Sequence, residues 1–179
     1  MSAGGGPGPR EVFHVCFAVR DLDAAIPRFE EVLGVRFREV DELHIAHVEQ
    51  PYHDRTEPYA IDRRITCSLE GPPHVELVEL VAEERDFLSA SQGEGPHHIG
   101  VWAEENESWR RQLAAGGVRT EMRSLAADLE TSPYWYTVPE DLCGSRLEFL
   151  DASLRGEFAE WLTGSRELDT WSHTEAEPS

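Results

Sequence analysis

The sequence predicts an α+β protein made of two paired βαβββ modules that form an open, curved sheet around a metal cleft. Three observations carry this expectation. Strand-like stretches open at Glu11 and again at His98. Each is followed by a helix-period segment that stops at a Gly-Val pair, Gly34-Val35 and Gly117-Val118. Each half then closes on a strand with a central acid, His74-Val-Glu-Leu-Val-Glu-Leu80 and Arg146-Leu-Glu-Phe-Leu150. Elements recurring in the same order mark one structural unit used twice.

From Glu11 to Val19, Phe13, Val15, Phe17 and Val19 alternate with Val12, His14, Cys16 and Ala18. That is a strand with one bulky face and one face of small residues bearing a histidine. Asp21 is placed to cap a helix, with Leu22, Ile26, Phe29 and Leu33 at helical spacing and Gly34 as its stop. Pro27 falls inside this segment and disfavours a regular helix there. Val35 to Val48 reads as one or two strands, and Gln50 to Asp62 as a polar loop. Arg64 to Leu69 and His74 to Val81 form a predicted hairpin around Gly71-Pro72-Pro73.

The pattern then restarts. His98 to Ala103 is strand-like, and Glu105 to Ala115 is a helix with Trp109 and Leu113 on one side. Gly116-Gly117 ends it. Tyr134 to Val138 and Arg146 to Leu150 are further strands. Leu154 to Leu162 is an amphipathic helix with Phe158 and Trp161 on its apolar side. The expected organisation is a flexible leader (1–10), a first module (11–82), a connector (83–94), a second module (95–152), a C-terminal helix (153–164) and a flexible tail (165–179).

The 179 residues carry a formal net charge of -19. Phosphate neutralisation needs Lys and Arg, so the balance argues against nucleic acid and against an anionic membrane surface. No apolar run approaches the ~18–20 residues of a membrane span. The Gly/Pro-rich start lacks the apolar core of a signal peptide. Cys16, Cys67 and Cys143 are odd in number and show no pairing motif, which fits a reducing compartment. The expectation is a cytoplasmic protein acting on a small molecule, with a homodimer as its possible assembly.

The repeat pairs His14 with His98 in the first strands and Glu76 with Glu148 in the last. If the two sheets curve and pair, these four side chains meet in one cleft. Two imidazoles and two carboxylates at ~2.0–2.2 Å suit a borderline divalent ion such as Zn, Ni, Co, Fe or Mn. A six-coordinate ion would keep two positions for water or substrate oxygens. Parity agrees: His14 shares its face with Cys16 and Ala18, and His98 with Gly100 and Trp102.

Other residues receive plainer readings. His97 is a strand-edge residue, and Glu79 an outward-facing acid. His44, His47, His53 and His74 have no repeat partner and are surface or pocket residues. Tyr134-Trp-Tyr136 is a packed strand, Cys16 a small cleft liner, and Arg63-Arg64 a local neutraliser of acidic surface.

The segments His14-Val-Cys-Phe-Ala-Val-Arg-Asp-Leu-Asp-Ala-Ala, Val75-Glu-Leu-Val-Glu-Leu, Gly93-Glu-Gly-Pro-His-His-Ile-Gly and Gly144-Ser-Arg-Leu-Glu-Phe-Leu resemble the vicinal oxygen chelate superfamily over roughly residues 11 to 152. Gly-Glu-Gly-x-His-His-Ile brings the chain nearest to the glyoxalase and methylmalonyl-CoA epimerase branch. The resemblance implies metal-assisted chemistry on vicinal oxygens, and carries the ligand role to His14, Glu76, His98 and Glu148. Glu76 is similar to the glyoxalase pattern, whereas epimerases commonly have glutamine there. By the same resemblance, Glu148 is the ligand that also shuttles a proton.

The expected activity is that of a metal-dependent isomerase or epimerase removing a proton α to a carbonyl held by the metal. Glu42 and Glu49 lie in the region where a second base is needed, without a motif to support either. Two alternatives stay open: another enzyme of this fold (lyase, glyoxalase or Fe(II) dioxygenase), or a non-enzymatic binder that sequesters a drug or metabolite.

Overall fold

The computed structural model describes residues 10–82, 86, 88–89, 93–126 and 129–166. Most of the expected connector (83–94), leader and tail lies outside them. Eight strands and three helices follow in the order β1 (Val12–Val19), α1 (Leu22–Leu33), β2 (Asp41–Gln50), β3 (Arg55–Cys67), β4 (His74–Glu79), β5 (Gly95–Ala103), α2 (Asn106–Ala115), β6 (Thr120–Ser124), β7 (Tyr134–Thr137), β8 (Leu147–Asp151) and α3 (Arg155–Leu162). The βαβββ order occurs twice.

The sheet is a closed barrel, β1-β4-β3-β2-β6-β7-β8-β5, and this corrects the expected open sheet. Each module alone would leave an edge at its first strand and another at its second. Both edges are paired: β1 runs antiparallel to β5 from Val12↔Val101 to Ala18↔Gly95, and β2 joins β6 through Val48↔Ser124 and Glu49↔Arg123. Closure satisfies the backbone groups that an open edge would leave unpaired.

Local signals set the helices. Asp21 Oδ1 accepts the Ala24 amide at 3.0 Å, and Gly34 closes α1 in the left-handed conformation at φ 69°. The helix continues through Pro27. It packs Leu22 on Val19 and Leu77, with Phe17 and Phe29 beside them. On the second module, α2 lays Trp109 and Leu113 over Val101, Ala103, Trp135 and Phe149. The Trp135 indole donates to Asn106 Oδ1 at 2.8 Å, fixing the start of α2 on β7.

The polar stretch 50–62 departs from expectation. A short 3-10 turn, Pro51–His53, leads into β3, which starts at Arg55. The first half of β3 is mostly exposed, so it lacks the apolar alternation of a buried strand. Its backbone pairing to β2, including Val48↔Tyr59 and Gln50↔Arg55, makes it a strand.

Inside the barrel lie Cys16, Ala18, Ile45, Val48, Ile61, Val78, Leu88, Met122 and Tyr136. At one end α3 folds Phe158 and Trp161 onto Phe13, Trp102 and Leu150. Phe13 stacks on Trp102, with centroids 4.1 Å apart. A register shift between Val12 and His14 accompanies this turn of Phe13 toward α3, while Phe17 stays with α1.

Candidate metal centre

The strand register builds the centre from two crossed rows. Cys16 lies beside Glu76 in the parallel pair β1/β4, and Gly100 beside Glu148 in the parallel pair β5/β8. The antiparallel seam sets His14 opposite Gly100 and His98 opposite Cys16. One row therefore runs His14, Gly100, Glu148, Tyr136; the other runs His98, Cys16, Glu76, Cys67. Each histidine stands across the seam from a small residue and a glutamate of the other module.

Small size in these rows is a steric demand. A β-carbon on Gly100 would stand 2.5 Å from Cε1 and Nε2 of His14. Glycine is needed here for space, since its backbone φ is not in the left-handed region. Cys16 is fully buried beside Glu76.

All four candidate residues are buried, each under a tenth exposed. Their inner atoms converge. His14 Nε2 lies 2.8 Å from His98 Nε2, 3.1 Å from Glu148 Oε2 and 3.7 Å from Glu76 Oε2. His98 Nε2 lies 3.2 Å from Glu76 Oε2 and 3.4 Å from Glu148 Oε2. Each Nε2 carries at most one hydrogen yet approaches three polar atoms. Mutual hydrogen bonding cannot satisfy that arrangement, but a shared centre can. Donors ~2.1 Å from one ion and ~90–110° apart lie ~3.0–3.4 Å from each other. The observed separations bracket that range, and the donor set suits a borderline divalent ion. His14, His98 and Glu148 group as candidate ion-holding side chains, as do Cys16, His97 and His98; Glu76 falls in neither group, although its Oε2 approaches both histidines.

Neighbouring groups orient this cluster. The Tyr136 hydroxyl donates to Glu148 Oε1 at 2.6 Å, which leaves Oε2 to face the histidines. His97 and His98 meet through their Nδ1 atoms at 2.8 Å. With His98 as donor, its Nε2 lone pair points into the cluster. His14 Nδ1 is buried without a hydrogen-bond partner, so the two histidines are held unequally.

Charge follows from burial and these contacts. Burial alone would lower His98, but hydrogen bonds and charge from Glu148 and Glu76 raise it to about 9. Burial would raise Glu148, yet hydrogen bonds from His14 and His98 hold it well below the usual carboxylate range. Glu76 is likewise lowered, with the charge of His14 overriding burial. Burial, then Glu76, pushes the Cys16 thiol far up. Cys16 therefore stays a thiol, which suits a small packing residue better than a nucleophile.

The cluster forms one wall of a half-open cavity of about 70 Å³. Apolar side chains make most of the rest, among them Leu43, Ile45, Ile61, Met122, Phe158 and Trp161. Tyr134 and Tyr136 also line it, on the barrel face of β7, while Trp135 points outward under α2. Alternation along Tyr134-Trp-Tyr136 was the available signal, but only pairing with β8 reveals that Tyr136 faces Glu148.

Neither Glu42 nor Glu49 lines the cavity: Glu42 is exposed, and Glu49 pairs with Arg123 at 2.8 Å. Arg63 does line it, buried and paired with Asp86. Arg64 pairs with Glu79 at 2.7 Å. Glu79 faces outward and also accepts the Leu22 amide. His74 binds the Ser68 carbonyl, and His44 pairs with Asp62.

A barrel of two βαβββ modules, each giving one histidine and one glutamate to a shared interior cluster, defines the vicinal oxygen chelate class. The chain belongs to the Glyoxalase/Bleomycin resistance protein/Dioxygenase superfamily, whose model matches residues 13–131. No curated protein matches it in sequence. Among solved structures it is similar to methylmalonyl-CoA epimerase from Mycobacterium tuberculosis, with a TM-score of 0.53 and 18% identity over 78% of this chain and 86% of that one. A hypothetical protein from Bacillus halodurans gives 0.56 and 19%, over 79% and 94%. A Streptomyces coelicolor methylmalonyl-CoA epimerase variant in complex with 2-nitronate-propionyl-CoA gives 0.54 and 17%, over 79% and 94%. At these identities the likeness is one of fold. Among the described residues, no helix is long and apolar enough to cross a membrane.

Proposed function

We propose that the chain is a metal-dependent isomerase or epimerase, with His14, Glu76, His98 and Glu148 as the ligands of a divalent ion. The carrying observation is the approach of four single donor atoms, Nε2 of both histidines and Oε2 of both glutamates, to within 2.8–3.7 Å across the five histidine contacts. When bound, the ion supplies a Lewis acid that stabilises negative charge on a substrate carbonyl oxygen.

The chain's own groups do the rest. Glu148 is the proposed base for the proton α to that carbonyl. Tyr136 holds Glu148 Oε1, so the oxygen that would take the proton is Oε2, which faces the histidines. His97 orients His98. The apolar walls lower the local polarity, which strengthens the electrostatics within. Likeness in fold to methylmalonyl-CoA epimerases supports the reaction class, while glutamate at position 76 and the absence of Glu42 and Glu49 from the cavity leave a second base unassigned.

Two measurements test this reading. Elemental analysis of the purified protein should find a divalent ion, lost or weakened in His14→Ala and Glu148→Gln. Solvent deuterium should enter the α-carbon of an accepted substrate; no exchange with methylmalonyl-CoA removes that substrate. A metal-free protein that still binds its ligand fully would favour the sequestering-binder alternative.

A further inference from the structure

Besides Arg63, which is paired with Asp86, the cavity wall holds a polar side chain that the metal centre does not use. Tyr134 lines it beside Tyr136, with ring centroids 6.0 Å apart. The Tyr136 hydroxyl is committed to Glu148. The Tyr134 hydroxyl is buried, with Ser124 near it but no partner at full hydrogen-bonding geometry. Ser124 Oγ, which lines a small adjoining cavity with Tyr134, is likewise buried without a partner at full hydrogen-bonding geometry. An unmade hydrogen bond of a buried hydroxyl is costly, so native proteins rarely keep one without a use.

The remaining walls limit what can fill the space. Phe13, Ile45, Ile61, Leu150, Phe158 and Trp161 offer no hydrogen bond to a ligand apart from the Trp161 indole N–H, which binds Asp41. Arg63 is the cation of the wall besides the histidines, and it is paired with Asp86. A polyanionic body would meet no uncompensated positive charge, whereas an apolar ring would be well solvated by these side chains.

We infer that Tyr134 is a specificity-determining residue, and that the cavity takes a small α-oxygenated carboxylic acid with an apolar, ring-sized body. The acid's vicinal oxygens go to the metal centre, its ring lies against the α3 aromatics, and Tyr134 donates to the carboxylate oxygen left over. This rests on the metal-centre reading above, and narrows its substrate to a class with no nucleotide-like handle inside the barrel.

The test uses the full chain loaded with Zn(II), titrated calorimetrically with phenylpyruvate and with pyruvate. These probes differ only by the ring. Phenylpyruvate should bind at least about tenfold more tightly, the gain expected from burying a phenyl group. Tyr134→Phe should weaken both acids by about tenfold through the lost hydrogen bond. The same variant, without ligand, should melt no lower than the parent, because it removes an unsatisfied hydroxyl. Equal affinity for the two acids overturns the ring assignment. Unchanged affinity in Tyr134→Phe, or a melting point several degrees lower, overturns the role of the hydroxyl. A protein that takes up no Zn(II) fails earlier, at the metal centre, and is told apart by that.

Discussion

Gly100 stands across the β1–β5 seam from His14, so close that a single added carbon would lie 2.5 Å from the imidazole. The position of the His14 ring thus depends on a residue that contributes no side chain. In Gly100→Ala the ring must swing away from His98 and Glu148. Overpacking of this kind costs about 1–3 kcal/mol. Thermal unfolding of the ion-free protein should show that loss, and metal titration a drop of at least about tenfold in affinity. A variant matching the parent in both would contradict the close packing.

Tyr136→Phe should act through Glu148. It removes the donor at 2.6 Å and leaves a buried carboxylate oxygen unsatisfied, at a cost of about 1–3 kcal/mol. The Glu148 carboxyl should become easier to protonate, moving the acid limb of stability to higher pH. The contrast with Tyr134→Phe is sharp, since two tyrosines on one strand face should respond to the same substitution in opposite directions. Parallel denaturation of the two variants across acidic pH reads both effects.

His97→Ala addresses the orientation of His98. Its Nδ1 is 2.8 Å from the Nδ1 of His98, on the ring edge away from the cluster. Loss of such a partner typically weakens metal binding about 10–100-fold while the ligands remain. Competition with a chelator should measure this, with circular dichroism showing the fold retained. An affinity equal to the parent's would return His97 to a plain strand-edge residue.

The pH dependence has a definite sign. Burial would lower His98 in the ion-free protein, but Glu148 and Glu76 raise it from 6.5 to about 9. The folded state then binds that proton more tightly than the unfolded state. The resulting stability is complete below pH 6.5 and is lost as pH rises through about 9. Glu148 and Glu76 sit below their ordinary 4.5, so their contribution holds above 4.5 and is lost as pH falls through their lowered values. The ion-free protein should be most stable between about pH 4.5 and 6.5. A divalent ion competes with the His98 proton, so its affinity should climb from pH 6.5 to 9 with proton release. Calorimetry in buffers of different ionisation heats counts those protons; uptake without release at pH 7 would contradict the scheme.

Much of the fold was legible because its signals are local. Asp21 and Gly34 bound α1 by hydrogen bonding within a few residues. Phe158 and Trp161 mark the buried side of α3 by period alone. The same kind of signal failed at Arg55 to Asp62, where exposure removes the alternation and pairing with β2 makes the strand. It failed also at the barrel seams, since nothing in β1 or β2 names a partner in the other half.

By itself the sequence determined the duplicated unit and the pairing of His14 with His98 and of Glu76 with Glu148, because side-chain period and repeat spacing are properties of the chain. Tertiary structure alone decided that the sheet closes, that each histidine stands opposite a small residue of the other module, and that Tyr136 rather than Glu42 or Glu49 adjoins the cluster. The physical reason is register. His14 and His98 are 84 residues apart, and which side chains meet across such a distance is set by how two strand edges hydrogen-bond.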